Sequence, residues 1–240
     1  MLSLHGVNDM NILVFAPHPD DDLIGCGGSL IRHGQAGHHL TVAYMTSGEA
    51  GSLNYGKEEL AELREQEARD ATEILGIHDL IFLRNADGYL AYDRDNLIRL
   101  TDLVRERKPH VVYIPHARDG HMDHMITHKL AVEAVRRARG PWFQECTGQP
   151  WSVETLLCYE VWTPLQEISY TEDITAVMPL KIKALRRHRS QLRDISYEEA
   201  VQSLNRYRGV TTGRGQYCEC FQVLSVGNIY SSKLTPVLNQ

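Results

Sequence analysis

Imidazoles and carboxylates crowd two stretches that lie far apart in the chain. The first is Ala16-Pro17-His18-Pro19-Asp20-Asp21-Asp22, and the second runs from His116 through Asp119, His121 and Asp123 to His124. Solvated loops more often offer Ser, Lys, Asn and Gly, so these residue types point to a shared metal site. A catalytic zinc takes about three protein ligands at ~2.0–2.2 Å and keeps an open position for water. His18 and Asp21 can supply two, while the adjacent Asp20 points elsewhere and is free to take a proton from that water. The two prolines narrow φ and bias their neighbours toward extended geometry, which holds these side chains in place. An acidic helix N-cap accounts for Asp20 to Asp22 but leaves His18 without a role. His121 and His124 are three apart and can face one site, one as ligand and the other as a positively charged donor. A rival pair, His124 and His128, has the four-residue spacing of helical zinc sites but lacks the glutamate base of HExxH.

Four apolar, β-branched runs must position these loops: Ile12 to Ala16, Leu40 to Met45, Leu80 to Leu83 and Val111 to Ile114. Between them Leu23 to Gly34, Lys57 to Leu75 and Asn96 to Arg107 carry apolar residues at three-to-four spacing, the pattern of crossover helices in βαβ units. Gly76 and Pro109 stand in stopping positions, and another helix runs from about Asp123 to Arg139. In an open parallel sheet the ligand site lies beyond the carboxyl ends of the strands. Every such loop here is polar: the second offers Thr46, Ser47 and Glu49, and the third Asn85 and Asp87. Gly25-Cys26-Gly27-Gly28 falls inside a helix rather than in the tight turn of a dinucleotide-binding motif, and reads as close helix-on-sheet packing. Past a turn-rich break at Trp142 to Pro150, Val153 to Val161 reads as a strand, Ala176 to Gln191 and Tyr197 to Arg206 as helices, and Tyr217 to Val223 as a final strand. The basic stretch from Lys181 to Arg193 reads as a solvated helix face.

At 240 residues the chain suits one domain, 1–240, with a C-terminal extension. Apolar residues at 42% and charged residues at 23% exclude a disordered tail protein, and a net charge of -6 gives no attraction for nucleic acid or anionic lipid. No apolar run approaches the roughly 20 residues that cross a bilayer, and the opening residues have neither a basic nor an apolar leader segment. The expectation is a cytoplasmic protein. Five cysteines at wide spacing suit a reducing compartment, with Cys218 and Cys220 packed on one strand face.

Pro17-His18-Pro19-Asp20-Asp21 with Ile24-Gly25 and Gly27-Gly28, and His121-Met122-Asp123-His124, resemble the two signature motifs of the LmbE-like, or PIG-L-type, N-acetylglucosaminyl deacetylases. Thr46-Ser47-Gly48-Glu49, Arg64 with Glu67-Ala68, Leu75-Gly76, Asp87-Gly88, His188-Arg189-Ser190-Gln191 and Glu219-Cys220-Phe221 are similar to further blocks, so the resemblance spans nearly the whole chain. Met122 stands where many relatives have proline. The resemblance implies an α/β fold, three-layer α/β/α and Rossmann-like, with a mostly parallel sheet. It implies His18, Asp21 and His124 as ligands of zinc or ferrous iron, Asp20 as general base, and His121 as the residue that stabilises the oxyanion and can protonate the leaving amine. Asp123 would orient a neighbouring histidine, and Glu49, Arg64, Asp87 and His188 would contact substrate. The implied reaction removes an acetyl group from an N-acetylglucosamine-type conjugate, and the implied assembly is a homo-oligomer. Two other classes remain open: a non-catalytic sugar- or nucleotide-binding module with a structural metal, and a two-ion metal phosphoesterase.

Overall fold

The computed structural model describes residues 10–77, 79–193 and 195–226. The opening segment and both ends of the expected 1–240 domain lie outside the described residues. β1 (Asn11–Ala16), β2 (His39–Thr46), β3 (Asp79–Asn85), β4 (Val111–Pro115) and β5 (Thr155–Tyr159) form from the apolar runs and pair in parallel. Side chains alternate across a strand, so Ile12, Val14 and Ala16 enter one core layer while Leu13 and Phe15 enter the other. Burial on both faces is why β1, β2, β4 and β5 read as unbroken apolar runs, while β3 at the sheet edge is mostly half-buried. The crossovers α1 (Asp21–Gln35) and α2 (Lys57–Leu75) contribute to the first layer, α3 (Arg94–Arg107) and α4 (Met122–Ala138) to the second.

Helix boundaries follow local chemistry. Asp93 caps α3 by accepting from the Asn96 amide at 2.9 Å, and Gly76 closes α2 in the left-handed region at φ 73°. Glycines 25 and 28 serve the packing expected of them. A Cβ on Gly25 would overlap the Tyr159 ring, and one on Gly28 would stand 2.6 Å from Ile174 Cγ2.

The sheet order is β3-β2-β1-β4-β5-β7-β6. The chain builds outward from β1 to β3, then returns to place β4 against the other side of β1, pairing Ile12 with Val111 and Val14 with Tyr113. The loops after β1 and β4 therefore open side by side at the point where strand order reverses, the usual ligand edge of such sheets.

The C-terminal part departs from the sequence reading. The strand expected over 153–161 is confined to β5, because Glu160 leaves the sheet to pair with Arg208 at 2.6 Å and to accept the Leu165 amide. A short strand, β6 (Tyr170–Asp173), was not foreseen, since four residues carry too little periodicity. It pairs with Cys218 to Phe221 of β7 (Cys218–Val226), whose second half pairs antiparallel with β5. The single helix expected over 176–191 divides into α5 (Met178–Leu185) and α6 (Arg189–Leu192), while α7 spans Tyr197–Thr212. His188 turns out of the helical region at ψ 58°, and Ser190 is secured by its amide and hydroxyl on Glu67 at 2.8 and 2.6 Å.

Lys181 corrects the reading of a solvated basic face, being 0% exposed. Its ammonium donates to Glu219 at 2.7 Å, Asn205 at 2.9 Å and the Ile24 carbonyl at 3.0 Å. Glu219 also accepts from the Gly28 and Ser29 amides and the Ser29 hydroxyl. A buried charge persists only when paired and fully hydrogen-bonded, and this pair locks β7 and α5 onto the middle of α1. Lys183, Arg186, Arg189 and Arg193 on the same stretch are exposed. Cys218 and Cys220 are both buried.

Candidate metal centre and active site

The β1–α1 loop is clamped before any functional side chain leaves it. The Thr46 amide and hydroxyl both donate to the Pro17 carbonyl, at 3.1 and 3.0 Å. Arg64, buried on α2, donates to the Pro19 carbonyl at 2.8 Å, the Gly48 carbonyl at 3.1 Å and Asp20 Oδ2 at 3.3 Å. Gly48, at φ 66°, leaves the space that this guanidinium fills. Asp20 has φ 128°, a conformation that L side chains rarely adopt and that costs on the order of 1–3 kcal/mol where it is kept. Its carbonyl starts α1 by accepting from Leu23 and Ile24, and its carboxylate makes no cap.

Three donor atoms converge from the two adjoining loops. His18 Nδ1 lies 3.0 Å from Asp21 Oδ2, His124 Nε2 lies 3.1 Å from the same oxygen, and the two nitrogens are 3.3 Å apart. Ligands at ~2.1 Å around a tetrahedral ion stand about 3.4 Å from one another, so the triangle fits one small cation. Each imidazole also has a carboxylate at its far nitrogen. His18 Nε2 lies 3.0 Å from Asp87 Oδ1 and 3.4 Å from Asp123 Oδ2, and His124 Nδ1 lies 3.4 Å from Asp119 Oδ1. These are ion-pair distances without hydrogen-bond alignment, because both nitrogens lack an aligned partner among the described residues. Carboxylates in that position fix the orientation of metal-binding histidines and raise their basicity. His121 joins the cluster, with ring nitrogens of His18, His121 and His124 all within 4.8 Å of one another.

Electrostatics divide the carboxylates. Burial opposes ionisation of Asp21, yet His124 and His18 hold it well below the ordinary range. Burial pushes Asp20 up to about 7 against the pull of Arg64. For His124 burial favours the neutral ring, but Asp21 and Asp119 raise it to about 9. His121 is lowered by burial, then by His18 and His124. Its Nδ1 accepts the Asp123 amide at 3.2 Å, which leaves Nε2 to carry the proton of the neutral ring.

The remaining expected residues divide into a framework and a wall. Asp123 is pinned by the Gly88 amide at 2.7 Å and the Leu90 amide at 3.2 Å, tying the β3–α3 loop to α4. Glu49 accepts the Asp87 amide at 2.8 Å while Asp87 accepts the Ala50 amide at 2.9 Å, so those two loops hold each other. Asp87 is held down to about 2: burial opposes this and His18 prevails. His188 is 1% exposed with neither ring nitrogen partnered among the described residues, and burial with Arg64 lowers it to about 3. A buried imidazole with two unpartnered nitrogens is poised to bind a polar ligand or water. His128 turns away and donates to the Pro115 carbonyl at 2.9 Å, which removes the rival pair. Asp119 had no assigned role in the sequence reading. Nothing in its spacing distinguishes it from a solvated loop carboxylate, but it is 3% exposed and accepts the amides of His121, Trp162 and Thr163.

Residues 13–135, which hold both motif loops, match the family described as PIG-L, GlcNAc-PI de-N-acetylase. The chain belongs to the PIG-L family. It is 31% identical over 201 residues to the diacetylchitobiose deacetylase of Thermococcus kodakarensis, covering 80% of this chain and 74% of that one. Among solved structures, the conserved protein TT1542 from Thermus thermophilus superposes with a TM-score of 0.81 at 31% identity, covering 96% of this chain and 100% of the other. The N,N'-diacetylchitobiose deacetylase from Pyrococcus horikoshii, complexed with an inhibitor, gives 0.82 at 28% identity, covering 91% and 84%. The mixed α/β sheet with helices on both faces is the fold of these PIG-L structures.

Proposed function

We propose that the protein is a metal-dependent N-deacetylase that hydrolyses the acetamide of an N-acetylglucosamine-type sugar conjugate to acetate and a free amine. The observation that carries this reading is the triangle of His18 Nδ1, Asp21 Oδ2 and His124 Nε2, each imidazole backed by a carboxylate and the whole standing beside buried Asp20. Membership of the PIG-L family supports it. His18, Asp21 and His124 would hold zinc, or ferrous iron, since both accept imidazole and carboxylate ligands. When bound, such an ion supplies Lewis acidity, which polarises the acetyl carbonyl and lowers the pKa of coordinated water toward ~7.

The chain's own groups do the proton work. Asp20 takes a proton from the attacking water, its strained backbone and Arg64 fixing the carboxylate. The His121 Nε2–H donates to the oxygen that gains charge as the tetrahedral centre forms, a contribution of about 3–4 kcal/mol for one such donor. Asp20 then returns its proton to the departing nitrogen as the C–N bond breaks. Asp123 keeps His18 and the Gly88 turn in register, and His188 with Glu49 lines the sugar side. Arg64 acts here by positioning.

The rest of the proposal follows the chemistry. One domain, 1–240, acts on a small amino-sugar conjugate rather than on nucleic acid. No helix among the described residues is long and apolar enough to cross a membrane. The five cysteines are all free, which suits the cytoplasm, and a homo-oligomer is the expected assembly. The test is acetate release from N-acetyl amino sugars with and without chelator, alongside a count of metal per chain. Chelator-sensitive release with one ion supports the reading. Release that survives complete metal removal, or two ions per chain with phosphoesterase activity, overturns it.

A further inference from the structure

Trp162, in the β5–β6 connection, is 47% exposed. An indole in this half-exposed position offers an aromatic surface that a ligand can cover. Trp142 is also exposed, but it lies beyond the far end of α4 from the site. The backbone around Trp162 is firmly held. Its amide donates to Asp119 Oδ2 at 3.1 Å, the Thr163 amide reaches the same oxygen at 3.4 Å, and His116 Nε2 donates to the Thr163 carbonyl at 2.7 Å. The carboxylate that faces His124 therefore also fixes the tryptophan.

Two further contacts put the indole beside the cleft. Its Cβ lies 4.0 Å from where a Cβ on Gly120 would stand, next to His121. On its other side it meets Tyr197 with ring centroids 5.6 Å apart at 67°. Tyr197 opens α7. Trp162 thus stands against the β4–α4 loop that carries His121, with the Tyr197 ring edge-on to it. Tyr197 braces the indole and leaves apolar ring surface open to solvent.

A pyranose ring matches such a surface. Its axial C–H bonds make an apolar face whose positive hydrogens complement the negative face of an aromatic ring. Stacking also orients the ring without drawing on the polar groups needed at the acetamide. We propose that Trp162, braced by Tyr197, is the platform on which the pyranose of the amino-sugar substrate stacks, selecting cyclic over acyclic N-acetyl amines. This rests on the deacetylase reading above.

The experiment compares acetate release from N-acetylglucosamine and from acyclic N-acetylethanolamine by zinc-loaded wild type, Trp162→Ala and Trp162→Phe. In Trp162→Ala, KM for the sugar rises about tenfold with kcat within about twofold, the acyclic substrate is unaffected, and Trp162→Phe stays near wild type. Independently, glucosamine titrated into zinc-loaded protein changes the indole fluorescence of wild type but not of Trp162→Phe, in which Trp142 and Trp151 remain. Equal loss on both substrates, or a glucosamine response that survives in Trp162→Phe, overturns the platform alone. If wild type releases no acetate from any amino sugar, the deacetylase reading falls and the platform with it. Should Trp162→Ala fail to fold, Trp162→Phe and the fluorescence titration decide.

Discussion

Asp119 offers the sharpest test of how the metal centre is held, because both of its oxygens are committed. Oδ1 lies 3.4 Å from His124 Nδ1 and accepts the His121 amide at 3.2 Å, while Oδ2 accepts the Trp162 and Thr163 amides. Asparagine has one acceptor oxygen. With that oxygen toward Trp162 and Thr163, its NH2 group faces the His121 amide and the nitrogen of His124 that must carry a proton. His124 then loses its anchor, and partners of this kind are worth about 10–100-fold in metal affinity, or about 1.4–2.7 kcal/mol. Alanine removes both acceptors and strands three amides, which at roughly 1 kcal/mol each costs about 3 kcal/mol of folding stability. For a chain of this length that lowers Tm by about 6–12 °C. Zinc competition against a chromogenic chelator and calorimetry of the metal-free protein read the two effects separately. Asp119→Asn weakens zinc with a loss of about 1 kcal/mol in stability; Asp119→Ala weakens zinc similarly and loses the full amount. Unchanged zinc affinity in both variants would refute the claim that Asp119 orients His124.

Other expected outcomes probe different levels of the structure. Asp20→Asn retains its metal by elemental analysis yet loses most of its kcat, whereas His124→Ala loses both; equal metal loss in the two removes the division of roles. His121→Ala lowers kcat by about 10²–10³-fold with metal retained, and an unchanged kcat takes it out of the reaction. Lys181→Met leaves Glu219 charged and unpaired in the core, so denaturant unfolding reports a loss of about 3–5 kcal/mol, and pairing it with Glu219→Leu recovers much of that. Gly25→Ala drives a methyl into the Tyr159 ring, whose hydroxyl donates to the Phe15 carbonyl, and costs about 1–3 kcal/mol. Wild-type stability in that variant would show that the ring moves freely.

Much of this protein is legible in its sequence because the signals are local. Strands buried on both faces must be continuously apolar, crossover helices must be amphipathic, and loops at the carboxyl edge carry the polar chemistry; β1 through α4 follow from those rules. The concentration of His and Asp in the first and fourth loops belongs to the same class of signal. Residues whose roles depend on a distant partner were hidden. Lys181 looks like one more surface cation until Glu219, Asn205 and the Ile24 carbonyl surround it. Asp119 looks like a solvated carboxylate until His124 and three amides meet it. Local periodicity ran through the break at His188, where the bonds of Ser190 to Glu67 depend on the packing of α6 against α2. The site itself was decided by topology: only strand order sets β4 beside β1, and so brings residue 124 within reach of residues 18 and 21. Charge pairing and hydrogen bonding act over a few ångströms in space, whatever the separation along the chain, so the sequence could name the participants while the tertiary structure alone chose their partners.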